Sequence, residues 1–367
     1  MGLSYLVYPG AHHTRFHHAL GCTHLMQMAI DTLRMKGIEI SEQEEEALNV
    51  AILLHDLGHG PFSHALEHSI VERLGHEEIS LRFMEEINRD LNGSLDLAIA
   101  IFQAKYHRRF MNQLISSQLD MDRLDYLKRD SFYSGVPEGN INVERLITML
   151  HVKEDRLVLE YKGIYSVEKF IMARRFMYWQ VYLHKTGIAA ENMLVRILQR
   201  AKMLRKSGGA VPAGPALDRF LDKDINRDNF DTAVLRQFAL LDDYDIIQAV
   251  KTWAFHDDRI LSYLCSSLIN RRLPKIEMRN KPFEEAYYQE IKNKTREKLQ
   301  VDEADLEYLV SRGSVDNQAY NAAAESIDIL HKSGEIEDLL SCSEGGSIQA
   351  LAGRATKYFI CYPKKLA

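Results

Sequence analysis

Cysteine is scarce in this chain, and long apolar runs are absent. The 367 residues include four cysteines, far apart and with no Cys-x-x-Cys spacing. This pattern argues against a disulfide framework or a zinc ribbon and is typical of reduced thiols in a cytoplasmic protein. No run approaches the roughly 18 apolar residues that a membrane helix needs. Four histidines among the first twenty residues exclude a secretory signal peptide.

An excess of positive charge is also missing. The net charge of -6 and the sequence pI near 6.2 argue against nucleic acid as a partner. The sequence has no GxxxxGK[ST] loop, which argues against phosphate handling of the kinase or ATPase type. Apolar residues make up 46% of the chain, and its length predicts one large domain and one smaller one. A change of texture near Pro274 predicts a domain at 1–273 and a second region at 274–367.

The apolar spacing predicts a mainly α fold with a small β-hairpin and a smaller α+β C-terminal region. Residues 3–11 are predicted as an extended lead-in that ends at a turn. Helices are predicted at 14–36, from the Ser41 capping box to His55, and at 63–74, 76–91, 94–119 (a helical hairpin), 120–134, 165–205, 216–222, 231–240, 243–255, 258–270 and 282–298. The hairpin is predicted at 149–162, and strands are predicted near 305–311, 326–331 and 355–362.

Residues 51–64 read Ala-Ile-Leu-Leu-His-Asp-Leu-Gly-His-Gly-Pro-Phe-Ser-His. An apolar helix ends there at the adjacent His55 and Asp56. Polar side chains at a buried helix end need partners, and a metal ion uses a neutral imidazole and a carboxylate together. The plainer alternative is a helix end whose histidines bond the last free carbonyls. The pair His256-Asp257, which lacks the glycine–histidine continuation, fits that alternative.

Two imidazoles and two carboxylates at predicted helix ends form a candidate metal site. They are His18, His55, Asp56 and Asp122. This mixed nitrogen and oxygen set suits Mn, Fe, Zn, Co or Ni, with Mg as a further candidate that would arrive with a substrate. Such an ion lowers the pKa of bound water and withdraws charge from a phosphoryl oxygen.

Two predicted helices carry further polar side chains on one face. Asp122, Tyr126 and Asp130 recur every four residues. The second face consists of Arg174, Tyr178, Tyr182 and Lys185. A long helix bearing methionines and aromatic residues is as often part of a core, so the second pattern alone supports a core and a function equally.

These residues carry a resemblance to a known family. The order His18, His55-Asp56, Asp122 is similar to that of the HD-domain metal-dependent phosphohydrolases. The longer strings are Pro9-Gly10-Ala11, Arg15-Phe16-x-His18-x-Leu20-Gly21, the run from His55 to His64, and Asp122-Arg123-Leu124-Asp125-Tyr126. They resemble the dNTP triphosphohydrolase branch, which includes the animal SAM-and-HD-domain enzyme and its bacterial homologues.

The resemblance implies a helical domain that cuts a dNTP into deoxynucleoside and triphosphate by attack at the α-phosphorus. It implies that His18, His55, Asp56 and Asp122 are the metal ligands and that His64, oriented by Glu67, is the general acid. It further implies that the phosphate-contacting histidines are His59 and His76, the cations for the triphosphate are Arg15, Arg123, Arg174 and Lys185, and the sugar contacts are Tyr126, Asp130 and Tyr182. It also implies a homo-oligomer, a dimer or a tetramer.

Two features depart from the family pattern. The chain starts at Met1-Gly2-Leu3 without the helical segment that usually comes first, so we expect the contacts of that segment to be missing or the start to be truncated. Tyr178 stands where a histidine is familiar. Two alternatives stay open: an HD phosphohydrolase of nucleoside monophosphates, cyclic nucleotides or other phosphoesters, and a nucleotide-binding regulator without turnover. The intact His64 and Glu67 favour an enzyme.

Overall fold

The computed structural model describes residues 1–321, 325–343 and 347–364. The helices are α1 (Arg15–Met35), α2 (Glu42–Leu54), α3 (Glu67–Ile70), α4 (His76–Asp90), α5 (Asp96–Phe102), α6 (Arg109–Ile115), α7 (Met121–Ser134), α8 (Val143–Met149), α9 (Ile164–Met177), α10 (Lys185–Lys206), α11 (Pro215–Asp222), α12 (Thr232–Phe238), α13 (Asp243–Trp253), α14 (Arg259–Ile269), α15 (Glu285–Leu299), α16 (Glu303–Leu309), α17 (Leu339–Cys342) and α18 (Ser347–Ala352). The predicted mainly α fold is confirmed.

The strands form three small sheets. They are β1 (Val71–Glu72), β2 (Leu150–Lys153), β3 (Arg156–Glu160), β4 (Ile225–Asn226), β5 (Lys275–Arg279), β6 (Ser311–Asn317), β7 (Asp328–Leu330), β8 (Ile336–Asp338) and β9 (Ala355–Tyr362). The predicted hairpin is β2–β3, and β7 pairs parallel with β3 before β8 closes the sheet. In the C-terminal region β9 lies between β5 and β6, antiparallel to both, and β1 pairs with β4.

Two groups of buried apolar side chains hold the helices together. The first is formed mainly by α1, α2 and α5 to α9 and includes Ile329 and Leu339 from the C-terminal region. The second is formed mainly by α10 to α14 and includes Phe62 and Leu66. Residues 55–62 therefore connect the end of α2, which packs in the first group, to Phe62, which is buried in the second. The polar stretch that the sequence singled out lies between two cores.

The caps explain where the helices nearest this stretch begin. The Thr14 side chain accepts from the His17 amide at the start of α1, and Ser41 with Glu44 forms the predicted capping box of α2. The Asp120 side chain accepts from the Arg123 amide at the start of α7. These caps fix the first turns of α1 and α7, on which several candidate site residues lie.

Two short predictions near the start of the chain are wrong. Residues 3–11 are not a simple extended lead-in, because a 3-10 turn covers Gly2–Leu6. The single helix predicted at 63–74 is instead a 3-10 turn at Ser63–Ala65, then α3 and β1. Backbone φ values of 54° at Phe62 and 57° at Arg73 lie in the left-handed region, which α-helices of L-residues exclude.

The long helix predicted at 165–205 is also wrong. The chain widens into a π turn at Tyr178–Tyr182, and α10 starts after an extended His184 whose side chain accepts from the Thr186 amide. The predicted face of Arg174, Tyr178, Tyr182 and Lys185 is therefore interrupted, and Lys185 lies beyond the break. In the C-terminal region the strand predicted at 305–311 is mostly α16, which Asp302 caps, and β6 follows it. Strands β5 and β8 have no counterpart among the predictions.

No helix in residues 1–321, 325–343 and 347–364 combines the length and the apolar character required to cross a membrane.

Candidate active site

Three helices bring the predicted metal ligands together. His18 lies in the first turns of α1, His55 caps the C-terminus of α2 with Asp56 beside it, and Asp122 lies in the first turn of α7. Helix α1 packs against both α2 and α7. Gly21 allows this approach, because a Cβ atom there would lie 1.9 Å from Oδ1 of Asp125.

A second glycine positions the turn after α2. A Cβ atom on Gly58 would lie 2.0 Å from the carbonyl oxygen of His76 and 2.4 Å from the amide nitrogen of Ser80. The Gly58 amide also donates to Oγ of Ser80 at 2.8 Å. The turn is thus held against the start of α4, which brings His59 next to His76.

The donor atoms of the four predicted ligands lie close together in four histidine–carboxylate pairs, to which Asp56 contributes one oxygen for each histidine. Nε2 of His18 lies 3.1 Å from Oδ1 of Asp122 and 3.7 Å from Oδ2 of Asp56. Nε2 of His55 lies 3.5 Å from Oδ1 of Asp56 and 3.7 Å from Oδ1 of Asp122. Ligand atoms about 2.0–2.2 Å from one ion at octahedral or tetrahedral angles lie about 2.8–3.6 Å apart. The observed separations are close to that range.

The state of His55 fits a metal ligand. Its Nδ1 lies 2.6 Å from the Ile52 carbonyl oxygen, so Nδ1 carries the proton and Nε2 offers a lone pair to the cluster. Nε2 is buried and has no hydrogen-bond partner among the residues that the structure describes. A buried nitrogen without a partner is costly, and a metal ion would satisfy it.

His18 is held from the opposite side. Its Nδ1 donates to Oδ2 of Asp125 at 2.7 Å, and Arg129 holds the same carboxylate. This leaves Nε2 for the cluster, in the carboxylate–histidine arrangement common behind metal ligands. Asp125 therefore holds a predicted ligand in place and is not one of the four predicted ligands itself.

Electrostatics favour positive charge between these groups. Burial disfavours a charged His18 ring, but hydrogen bonds to Asp122 and Asp125 outweigh it and raise the pKa of His18. Burial also opposes ionisation of Asp122, yet the hydrogen bond from His18 and the nearby His55 ring hold the pKa of Asp122 well below its usual range. A divalent cation would supply the positive charge that protons on the histidines would otherwise supply.

Cys22 is a further donor near the cluster, and the sequence did not identify it. Its sulfur can be grouped with donor atoms of His18, His55 and Asp122, all within 4.8 Å of one another. A thiol must lose a proton to bind a metal ion, whereas Asp56 already offers an ionised carboxylate beside both histidines, so we favour Asp56 as the fourth ligand.

Three histidines lie beside the cluster around one carboxylate. Nε2 of His59 is 3.5 Å from Oδ1 of Asp56, and its ring stacks on His76 at 3.9 Å. Nδ1 of His76 lies 2.6 Å from Oε1 of Glu67, and Nδ1 of His64 lies 3.2 Å from Oε2. A cleft lined by His59, Glu67 and His76 opens beside them. Glu67 thus holds His64 and His76 together.

The histidines differ in charge and exposure. Burial and the nearby Arg15 guanidinium lower the pKa of His59 to about 2, so this ring is neutral. Burial opposes a charged His76, but its hydrogen bond to Glu67 outweighs burial and raises the pKa of His76. Hydrogen bonds from His64 and His76 hold the pKa of Glu67 far below its usual range. The His64 side chain is 70% exposed, which leaves it accessible to a bound molecule.

The predicted cations do not all meet at the cluster. Arg15 pairs with Asp56 and donates to Oγ of Ser63 at 2.6 Å. Arg123 pairs with Asp120, which is fully buried. The sequence indicated Asp120 only as the start of a helix. Arg174 donates to the Ala319 carbonyl at 3.2 Å. Lys185 is exposed at the first residue of α10.

The predicted sugar contacts form one connected group. The Tyr182 hydroxyl donates to Oδ2 of Asp130 at 2.9 Å, and the Tyr126 and Tyr182 rings meet edge to face at 6.0 Å. Nε2 of His13 lies 2.6 Å from Oδ1 of Asp130, and its ring stacks on Tyr133. His13 has no spacing signal in the sequence, because Asp130 is more than a hundred residues away.

Comparisons with known proteins agree with this geometry. The HD domain family matches residues 15–130, and the HD associated region matches residues 141–209. The chain is 33% identical to the uncharacterized protein YwfO of Bacillus subtilis, over 100% of this chain and 84% of that protein. It is 31% identical to a deoxynucleoside triphosphate triphosphohydrolase SAMHD1 homolog of Dictyostelium discoideum, over 56% of this chain and 44% of that protein.

A solved structure is similar over nearly the whole chain. It is the crystal structure of a phosphohydrolase from Bacteroides thetaiotaomicron, with a TM-score of 0.94 and 50% sequence identity over 98% of this chain and 90% of that chain. HD domains are metal-dependent, and the residues at the cluster fit a metal. The chain therefore belongs to the HD-domain phosphohydrolases, in their dNTPase-like branch.

Proposed function

We propose that this protein hydrolyses dNTPs to deoxynucleoside and inorganic triphosphate. The observation that carries the proposal is the position of Asp56, which lies within 3.7 Å of His18, His55 and His59 and pairs with Arg15. One carboxylate thus joins the metal-donor cluster to a cation and a histidine suited to phosphate. The SAMHD1 homolog, whose name states a dNTP triphosphohydrolase activity, supports the choice of substrate.

We propose His18, His55, Asp56 and Asp122 as the residues that hold the metal ion. When bound, a divalent ion such as Mn, Fe, Zn, Co or Ni, with Mg accompanying the substrate, supplies Lewis-acid chemistry at the phosphate and activates water. The donors fit this role because Nε2 of both histidines is directed at the two carboxylates. Asp125 and the Ile52 carbonyl hold the rings in that orientation.

The histidine cluster supports cleavage at the 5′ side. Water attacks the α-phosphorus and a new P–O bond forms while the bond from the α-phosphorus to the 5′ oxygen breaks. The proton that the attacking water loses passes to solvent. His64 gives a proton to the departing 5′ oxygen, and Glu67 holds its Nδ1 so that Nε2 is available. The neutral His59 and its stacked neighbour His76 contact the phosphates, as does Arg15 once a phosphate competes for its guanidinium. Arg123, Arg174 and Lys185 complete the set of cations.

The sugar end is proposed to meet Asp130, Tyr126 and Tyr182. Asp130 already accepts hydrogen bonds from Tyr182 and His13, so it can accept one from a 3′-hydroxyl in their place. Burial raises the pKa of Tyr126, so its ring stays neutral and can pack on a deoxyribose. A tyrosine against the 2′ edge of the sugar would leave no room for a ribose hydroxyl.

We also propose a homo-oligomer, a dimer or a tetramer, in the cytoplasm. Phe132, Leu240 and Phe255 are at least 72% exposed, which is unusual for large apolar side chains and would be relieved by burial between subunits. All four cysteines are free thiols, which supports a reducing compartment. Sedimentation at micromolar concentration tests the assembly, and a 42.3 kDa monomer alone would contradict it.

The activity is tested on the purified protein with Mn²⁺ against dNTPs, NTPs, nucleoside monophosphates and cyclic nucleotides. The expected products are deoxynucleoside and intact triphosphate from dNTPs. Turnover of monophosphates or cyclic nucleotides alone would assign a different phosphoesterase activity. Tight nucleotide binding without any product would assign a regulator instead.

A further inference from the structure

A second cluster of possible metal donors lies in the C-terminal region, on elements that carry none of the active-site residues. His331 follows β7, Glu337 is in β8, and Cys342 ends α17. Nε2 of His331 lies 3.1 Å from Oε2 of Glu337 and 3.5 Å from the sulfur of Cys342. The sulfur lies 3.3 Å from the same Oε2. Each donor atom therefore contacts both of the others.

These three distances describe one face of a tetrahedron around zinc. With Zn–N and Zn–O bonds of about 2.0–2.1 Å and a Zn–S bond of about 2.3 Å, the ligand atoms of a tetrahedral site lie about 3.3–3.6 Å apart. Observed separations of 3.1, 3.3 and 3.5 Å differ from this range by only small shifts. Hydrogen bonds from His331 and Cys342 to Glu337 would explain two of these three distances. They would not by themselves explain why the thiol also lies 3.5 Å from the imidazole.

The backbone holds the three residues in place. The His331 amide donates to the Glu335 carbonyl, and the turn closes through Gly334, whose φ of 89° favours glycine. The His331 ring also contacts Tyr161 at 4.8 Å. At the other end, Leu339 is fully buried, and Ser343 bonds Glu168 of α9. Hydrogen bonds and packing thus hold the backbone that carries the three donor residues.

The cluster is also accessible. The side chains of Glu337 and His331 are 42% and 26% exposed, so an ion can enter and a water molecule can complete the tetrahedron. A thiol binds zinc as the thiolate, so metal binding at Cys342 releases a proton.

We propose that His331, Glu337 and Cys342 form a second metal site, for Zn²⁺, that clamps α17 to the β7–β8 turn. Because Ser343 bonds Glu168, the clamp also fixes this segment to α9, the helix that carries Arg174. The site does not depend on the proposed dNTPase activity. Its ligand set includes a thiol, which separates it from the nitrogen and oxygen donors proposed for the active site.

The test is a Co²⁺ titration of the full-length, chelator-treated protein, because a thiolate ligand gives cobalt a near-ultraviolet charge-transfer band. We expect the band in the wild type and in Asp56→Ala, and its loss in Cys342→Ser and in His331→Ala. Cys22→Ser is the matched control and should keep the band, since Cys22 is the cysteine beside the active-site cluster. No band in the wild type, or a band that survives Cys342→Ser and disappears in Cys22→Ser, would overturn the proposal.

A stability measurement guards against a folding defect. In the Asp56→Ala background Zn²⁺ should raise the melting temperature, since a ligand that binds only the folded state stabilises it. Glu337→Gln preserves the shape of the side chain and should weaken Co²⁺ binding at least tenfold while the melting temperature of the metal-free protein stays unchanged. Equal zinc-induced shifts with and without the Cys342 thiol would refute the clamp.

Discussion

Nδ1 of His18 donates to Oδ2 of Asp125 across 2.7 Å, and this bond fixes which nitrogen of the ring faces the cluster. Asp125 does not reach the cluster itself, so it is a positioning residue. We expect Asp125→Asn to weaken metal binding about 10–100-fold, the usual effect of removing such a partner. The turnover number at saturating metal should change much less.

Titration of Mn²⁺ against activity measures this effect, with the exposed Asp90→Asn as the control. An unchanged metal affinity in Asp125→Asn would show that the hydrogen bond does not act on the metal.

Asp56→Ala should preserve the fold and abolish tight metal binding at the active-site cluster, because three ligands and water fill that site poorly. Elemental analysis after gel filtration measures the occupancy in a Cys342→Ser background, which removes the proposed second site, and circular dichroism checks the fold. Full occupancy of the variant would exclude Asp56 as a ligand and would favour Cys22, the other donor nearby.

His64→Ala should reduce turnover by about 10²–10⁴-fold with the metal retained, the range for a lost general acid. The exposed His24→Ala, on α1, is the control and should behave as the wild type. Comparison of kcat and metal content in both variants decides the role. Wild-type kcat in His64→Ala would make His64 a surface residue only.

Tyr126→Ala should erode the preference for deoxy over ribo substrates while sparing the metal. Losing one such contact is worth about 1–3 kcal/mol, or about 10–200-fold in discrimination. The ratio of kcat/KM for dGTP and GTP is the measurement, and Tyr165→Ala, at an exposed tyrosine, is the control. Equal kcat/KM values for the two nucleotides in the wild type would already exclude the proposed sugar contact.

Glu44 provides a prediction for stability. Burial opposes its ionisation, but hydrogen bonds from the Ser41 amide, Arg108 and Tyr106 outweigh burial and lower the pKa from 4.5 to about 2. Because the folded pKa is the lower one, this contribution is fully present above about pH 4.5 and is lost as the pH falls toward 2.

Glu44→Gln should therefore lower the free energy of unfolding by about 1–3 kcal/mol at neutral pH and by much less near pH 2. Urea unfolding at both pH values measures the difference, with the exposed Glu46→Gln as the control. A deficit that is equal at both pH values would mean that the charge of Glu44 is not the cause.

Local signals predicted the parts of the structure that depend on neighbouring residues. The Ser41 capping box and the turn after His55 are examples, since their causes lie within a few residues. The cluster of His18, Asp56 and Asp122 could be predicted for two reasons. Each residue lies near the end of a predicted helix, and their order along the chain resembles that of the HD-domain phosphohydrolases. His256, by contrast, bonds the Ala210 carbonyl of a distant loop and not the last carbonyls of its own helix, which the plainer alternative had predicted.

The remaining features depend on distant contacts. The break before α10 has neither proline nor glycine to mark it, so the sequence around His184 resembles a continuous helix. The partnership of His13 with Asp130 joins residues on different elements. Strand β6 is polar along much of its length, so no alternating apolar pattern marks it in the sequence. It is a strand because it pairs with β9.

The parallel pairing of β3 with β7 has a consequence for synthesis of the chain. Val158 pairs with Asp328, so the outer edge of β3 stays open until a segment roughly 170 residues later has left the ribosome, which takes on the order of 10–30 s. An open strand edge can pair with another chain. The nascent protein therefore passes through a period in which the edge of β3 is open to pairing with another chain.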